Sequence, residues 1–261
     1  MATIPTLELG GIDKSFGPVR ALTSVDLTAN AGEVTALVGD NGAGKSTLIK
    51  CIGGIYGVDA GRFLFDGAPQ TIDGPRHAAR LGIEIVYQDL ALCDNLDVAA
   101  NMFLGREELT PLHTLDENTM ERQAMQVLAS LSVRTVRSVH QVVSKLSGGQ
   151  RQTVAIAKSV LWRSKIVILD EPTAALGVAQ TAQVLDLVRR LADQGVAVLL
   201  VSHNMNDVMQ VADSIAVLYL GRMAAQVPRA AVTQTQVVEL MTAGRSGDLG
   251  LLPAESTGAA A

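Results

Sequence analysis

Basic excess is missing from this 261-residue chain: 21 lysines and arginines face 26 aspartates and glutamates, a net charge of −5. A general binder of nucleic acid needs the opposite balance, so nucleic acid is not an expected partner. No apolar run approaches the roughly 18 residues that read as a membrane span. The longest runs, at 196–201 and 215–220, have the length of buried parallel strands. Cysteine is scarce. Cys51 and Cys93 form no metal or redox spacing, so a reduced, cytosolic protein is expected, with Cys51 packed in a helix. Aromatic residues make up only 3%, so aliphatic side chains and alanine must build the core, and a hydrophobic content of 48% is enough for one. Residues 1–9 lack the basic and apolar regions of a signal peptide. No internal repeat is visible, and the length suits one large domain with or without an insertion.

What is present is an alternation of β-like and α-like segments. Residues 5–38 alternate short β-like runs with turns and end in an apolar strand at 34–38. A glycine-rich stretch, 39–47, leads into an apolar helix at 48–52. Residues 60–72 read as a hairpin turning at Asp66-Gly67. Pro75 reads as the first residue of a short helix and Gly82 as its stop. A strand at 83–87 then delivers Gln88. Residues 96–162 are mainly helical in pattern, with Met120, Ala124, Val127, Leu128 and Leu131 on one face. Apolar strands at 166–169 and 196–201 flank a helix at 178–191. This order predicts an α/β fold with a parallel core sheet, an N-terminal antiparallel β-subdomain and a helical subdomain inserted at 89–162. The domain is expected to span 5–243, and residues 244–261, small and Gly/Ala-rich, read as a flexible tail.

Residues 39–47 fit G-x-x-x-x-G-K-[ST], between a strand and a helix as the motif requires. Gly39, Gly42 and Gly44 let the backbone wrap phosphates, Asn41 and Ala43 are candidate binding positions of the same loop, and backbone N–H groups with the helix dipole favour the anion. Lys45 is placed to reach the β- and γ-phosphates. Ser46 is a ligand for Mg²⁺, and Thr47 offers a hydroxyl to a phosphate oxygen. The loop alone does not separate ATPases, GTPases and kinases, but no Asn-Lys-x-Asp guanine selector is present. Asp170 and Glu171 follow the apolar strand at 166–169. Emerging beside the loop, Asp170 would hold Mg²⁺ and Glu171 would act as general base on water. Paired acids after a strand also occur as ordinary solvated turns. Leu146-Ser147-Gly148-Gly149-Gln150 combines a serine hydroxyl, two glycines that admit close backbone approach, and a helix start. Its plainer reading is a serine-capped helix after a glycine turn.

Taken in order (loop, Gln88, Leu-Ser-Gly-Gly-Gln, Asp-Glu, His203), residues 5–225 resemble the nucleotide-binding domain of the ATP-binding cassette (ABC) family, a P-loop NTPase fold. The resemblance implies ATP and Mg²⁺ as ligands and a head-to-tail homodimer. In it, Ser147, Gly148, Gly149 and Gln150 of one copy face ATP on the phosphate loop of the other. It implies that Gln88 contacts Mg²⁺ or water and hinges the helical insert. It implies that His203 bonds the γ-phosphate and positions Glu171. It also implies that Phe16 stacks on adenine, although Phe16 has the alternative of packing within the β-subdomain. Gly177 stands where most cassettes carry an aspartate that helps couple the two sites. Residues 82–88, 101–107, 171–177 and 202–205 are similar to bacterial simple-sugar importers of the ribose, xylose, galactose and fructose type. That similarity implies a peripheral ATPase on the cytoplasmic face of the inner membrane, driving a permease served by a periplasmic sugar-binding protein. Asp89, Leu90 and Leu92 are candidates for the permease-binding groove, or else pack the helical insert. Rival readings are an importer of branched-chain amino acids or nucleosides, a soluble ABC ATPase, and a nucleotide-binding module without turnover.

Overall fold

The computed structural model describes residues 4–251. β1 (Leu7–Phe16) and β2 (Val19–Ala29) pair antiparallel, and β3 (Val34–Val38) runs into α1 (Lys45–Ile52). β4 (Ala60–Phe65) and β5 (Ala68–Gln70) form a hairpin across Asp66 and Gly67. Both turn residues have positive φ, 49° and 75°, as a tight two-residue hairpin requires. α2 (Pro75–Leu81) starts on its proline and stops at Gly82, and β6 (Ile83–Val86) follows. Next come α3 (Val98–Phe103), α4 (Glu117–Ser130) and α5 (Gly148–Val160). Then β7 (Ile166–Asp170), α6 (Val178–Asp193), β8 (Ala197–Val201), α7 (Met205–Val211) and β9 (Ser214–Tyr219) alternate. The described chain finishes with β10 (Arg222–Pro228), α8 (Gln234–Ala243), β11 (Arg245–Ser246) and β12 (Leu249–Gly250).

Two main sheets result. One is antiparallel, in the order β2-β1-β4-β5; the other has six strands in the order β10-β9-β3-β8-β7-β6. The pairs β3/β9, β3/β8, β7/β8 and β6/β7 are all parallel. The central strands show no polar alternation because both their faces are covered. In β7, Ile166 and Ile168 join the cluster under the β-subdomain and α1, while Val167 and Leu169 join the helical side. β8 divides the same way, with Ala197, Leu199 and Val201 on one face and Val198 and Leu200 on the other. A third cluster packs Ala36, Val38, Ile215 and Val217 against α7, α8 and β10.

Two expectations need correction, on the core sheet and on the tail. The core sheet is mixed, because β10 pairs antiparallel with β9 at its edge. The region 96–162 is mainly helical as expected, with a short 3-10 turn at Val143–Lys145 before α5, and Met120, Ala124, Leu128 and Leu131 are buried there as the helical face predicts. The supposed tail does not begin at Gly244, which caps α8 at φ 73° and precedes the β11–β12 hairpin. Leu249 and Leu251 of that segment pack on the third cluster. Residues 252–261 of the expected tail lie outside the described residues.

Candidate functional site

Parallel strands deliver their carboxyl ends to one edge of a sheet, where the following loops can share a ligand. Here four neighbouring strands do so in the order β3-β8-β7-β6. β3 leads to the phosphate loop, β8 to His203, β7 to Asp170 and Glu171, and β6 to Gln88. The chemistry-bearing residues, far apart in sequence, therefore stand in adjacent loops.

The phosphate loop is held by its own backbone. Gly44, the N-cap of α1, sits at φ 106°, and a Cβ there would lie 2.8 Å from the Ala21 carbonyl oxygen. Only glycine meets both conditions without moving β2. Lys45 Nζ donates to the carbonyl oxygens of Gly39 at 2.7 Å and Asp40 at 3.1 Å. The ammonium is thus held on the loop. Residues 41–47 line a groove of about 450 Å³ together with Val19, Arg20, Ala21, Leu220 and Gly221. That volume suits a small ligand.

His203 Nδ1 lies 2.7 Å from Glu171 Oε1, with Glu171 mostly covered and His203 exposed. The register explains the meeting: Asp170 is paired with Val201 across β7 and β8, so the next residues of both strands leave side by side. Glu171 N donates to Val201 O at 2.9 Å, and Thr173 Oγ1 donates to buried Asp207 Oδ2 at 2.6 Å, tying the loop after β7 to β8 and to α7. Glu171 adopts φ 49°, a conformation that costs a non-glycine residue about 1–3 kcal/mol. Such cost is tolerated where the surroundings fix a side chain in a required place.

Asp170 is half-buried, and burial pushes its carboxyl above the usual carboxylate range; the Glu171 charge adds to this, while Lys45 and Lys50 oppose it. Among the described residues no cluster of three or more His, Cys, Asp or Glu could cage a metal ion. The set present, one carboxylate and the Ser46 hydroxyl beside a phosphate groove, instead suits Mg²⁺ carried on a nucleotide. Gln88 is exposed in the turn after β6. The backbone twists sharply just beyond it, with Leu90 and Ala91 at φ 60° and 46°. Asp89 is exposed, whereas Leu90 and Leu92 pack partly against the helical-side cluster.

Phe16 and the Leu-Ser-Gly-Gly-Gln segment are not among the residues lining the phosphate-loop groove. Phe16 does not line the phosphate-loop groove; its ring meets Tyr56 edge-on at 5.1 Å between centroids, with Lys14 Nζ 5.5 Å from the ring. The groove wall comes instead from its hairpin partner Val19 and from Arg20. The sequence reading missed both, since only the β1–β2 register brings them to the loop. Ser147, Gly149 and Gln150 line a separate groove of about 650 Å³ that shares no residue with the first. Ser147 caps α5 in a capping box, with Gln150 Oε1 accepting from Ser147 N at 2.8 Å. Within one chain, then, the Leu-Ser-Gly-Gly-Gln segment and the phosphate loop line different grooves.

Residues 22–174 match the family described as ABC transporter. The chain is 42% identical to a fructose import ATP-binding protein of Rhizobium meliloti, covering 94% of this chain and 96% of that protein. It is 41% identical to a xylose/arabinose import ATP-binding protein of Sulfolobus acidocaldarius, covering 94% and 97%. A ribose import ATP-binding protein of Yersinia pestis is 38% identical; the match covers 95% of this chain but 48% of that protein. Among solved structures, the ADP conformation of an ATP-binding cassette of an ABC transporter superposes with a TM-score of 0.78 at 26% identity, over 92% of this chain and 95% of that one. A nucleotide-free cassette gives 0.76 at the same identity, over 86% and 91%.

Proposed function

The chain belongs to the ABC transporter family of ATP-binding proteins, and on that premise we propose that it is the ATP-hydrolysing subunit of a bacterial monosaccharide importer. The observation that carries the hydrolytic part is the 2.7 Å contact between His203 and Glu171 at adjacent strand ends, beside the phosphate loop. The sugar assignment rests on relatives at 38–42% identity named for fructose, xylose and ribose import.

In this reading the loop backbone and Lys45 hold the β- and γ-phosphates of ATP. Mg²⁺, when bound, screens the phosphate charge; Ser46 and Asp170 would hold it, with Gln88 reaching the same region. Glu171 accepts a proton from the attacking water, the oxygen bonds to the γ-phosphorus, and ADP leaves with the bridging oxygen's electrons. His203 keeps Glu171 aimed and faces the γ-phosphate. Phe16, edge-on to Tyr56 and exposed to solvent, keeps a ring face for adenine and remains the candidate platform.

Two copies would pair head to tail, so that Ser147, Gly148, Gly149 and Gln150 of each meet ATP on the other. The separation of the two grooves within one chain supports that arrangement. Closure on ATP would drive a membrane permease, and hydrolysis would reset it. No described helix is long and apolar enough to cross a membrane, so the span is left to the permease. The subunit would sit on the cytoplasmic face of the inner membrane, with a periplasmic sugar-binding protein feeding the permease. The test is uptake of labelled fructose, ribose, xylose and galactose by cells lacking this protein, complemented with wild type or Glu171→Gln. Restoration of one or two sugars by wild type alone is expected. If no sugar depends on the protein, the sugar assignment falls and amino acids or nucleosides become the panel.

A further inference from the structure

The signature groove carries two side chains that the mechanism above does not use. Arg134 and Arg137 stand on the loop after α4 and line the same groove as Ser147 and Gln150. No aspartate or glutamate lines that groove, although acids outnumber bases in the chain. Both arginines are exposed, and among the described residues neither guanidinium forms an ion pair or a hydrogen bond. Their neighbours are spoken for: Arg151 pairs with Asp94 at 3.0 Å, and Arg190 donates to Leu131 O at 2.8 Å. Arg134 also borders an adjoining groove that holds Asp186, without an ion pair forming.

Their loop is not free to wander. Gln150 Nε2 donates to Thr135 O at 2.6 Å, while Gln150 Oε1 accepts from Ser147 N. One amide therefore locks the serine cap and the arginine loop into a single unit. Guanidinium groups match phosphate oxygens in bidentate geometry, and unpaired ones on an acid-free wall favour a polyanion.

We propose that Arg134 and Arg137 form a basic lip on the signature groove that binds the triphosphate of ATP held by a second copy of this chain. The inference rests on the head-to-tail pairing proposed above. Gln150 acts here as a positioning residue for the lip. The lip steers closure by charge and adds contacts that the small signature residues cannot supply.

The test uses full-length Glu171→Gln protein, which should hold ATP without turning it over, and follows its ATP-dependent dimerisation by sedimentation at several salt concentrations. Adding Arg134→Gln and Arg137→Gln together should raise the ATP concentration for half-dimerisation at least about tenfold, the loss expected for charge-assisted bonds. It should also flatten the salt dependence. Binding of ADP to the monomer should stay unchanged, and lysine at both positions should restore the salt dependence in part. Dimerisation at the ATP concentration of the Glu171→Gln parent would overturn the lip while leaving the pairing intact. An equal loss of ADP binding in the monomer would also overturn it, since the arginines would then act through the fold. If Glu171→Gln alone never dimerises with ATP, the pairing itself is wrong and the lip falls with it.

Discussion

Arg106, just beyond α3, places Nη2 2.8 Å from Glu84 Oε1 on β6. The guanidinium also lies 5.2 Å from the Trp162 ring at the end of α5. Burial raises the Glu84 carboxyl above its ordinary range, with Arg106 and Lys158 holding it down. The strand that delivers Gln88 is thereby fastened to the helical insert. Arg106→Gln should lower stability by about 1 kcal/mol or more, because it leaves a largely covered carboxylate without its partner. Adding Glu84→Gln should recover part of that loss. Denaturant titration of the two single variants and the double variant measures the coupling; additive losses would mean the pair is independent.

Glu171→Gln should reduce ATP turnover by about 10²–10⁴, the range for a general base, while ATP binding persists. His203→Ala should also cut turnover, because it releases the carboxylate that the 2.7 Å contact aims. Adding His203→Ala to Glu171→Gln should cost little more, since the two act as a unit. Steady-state phosphate release reads all three variants, and full additivity would separate the roles.

Gly177 precedes α6 with φ −73°, and nothing lies within 4 Å of where its Cβ would be. Gly177→Asp therefore meets no strain and supplies a capping carboxylate. A gain of a few tenths of a kcal/mol, about 0.3, is expected in thermal unfolding, with hydrolysis retained. A lower melting temperature would show that glycine is required there.

Burial pushes the Cys51 thiol up to about 11. A thiolate, not a thiol, is alkylated, so Cys51 should resist iodoacetamide near neutral pH in the folded protein and react once the chain is unfolded. Cys93 is only partly covered and should react first. Peptide mass mapping distinguishes them; early labelling of Cys51 would contradict its packing.

Much of this arrangement was legible because its signals are local. The glycine-lysine loop, the apolar run before Asp170, Pro75 and Gly82 each report on their own neighbourhood. β10 escaped notice because an edge strand needs no continuous apolar run; its burial alternates only weakly. The Thr233 capping box is a start signal for α8 carried by the sequence itself. Pairings set by the fold left no trace in the chain: Glu84 with Arg106, Gln150 with Thr135, and the register that brings Val19 to the groove. Phe16 was placed by resemblance, and the ring's engagement with Tyr56 is a tertiary fact.

The absence of any shared residue between the phosphate-loop groove and the signature groove has a genetic consequence. In the proposed pair, each composite site takes one half from each copy. A copy crippled at Lys45 and a copy crippled at Ser147 would each be inactive alone. Mixed together, they would gather both lesions into one site and leave the other whole. Two null alleles of this kind would complement each other within a single cell.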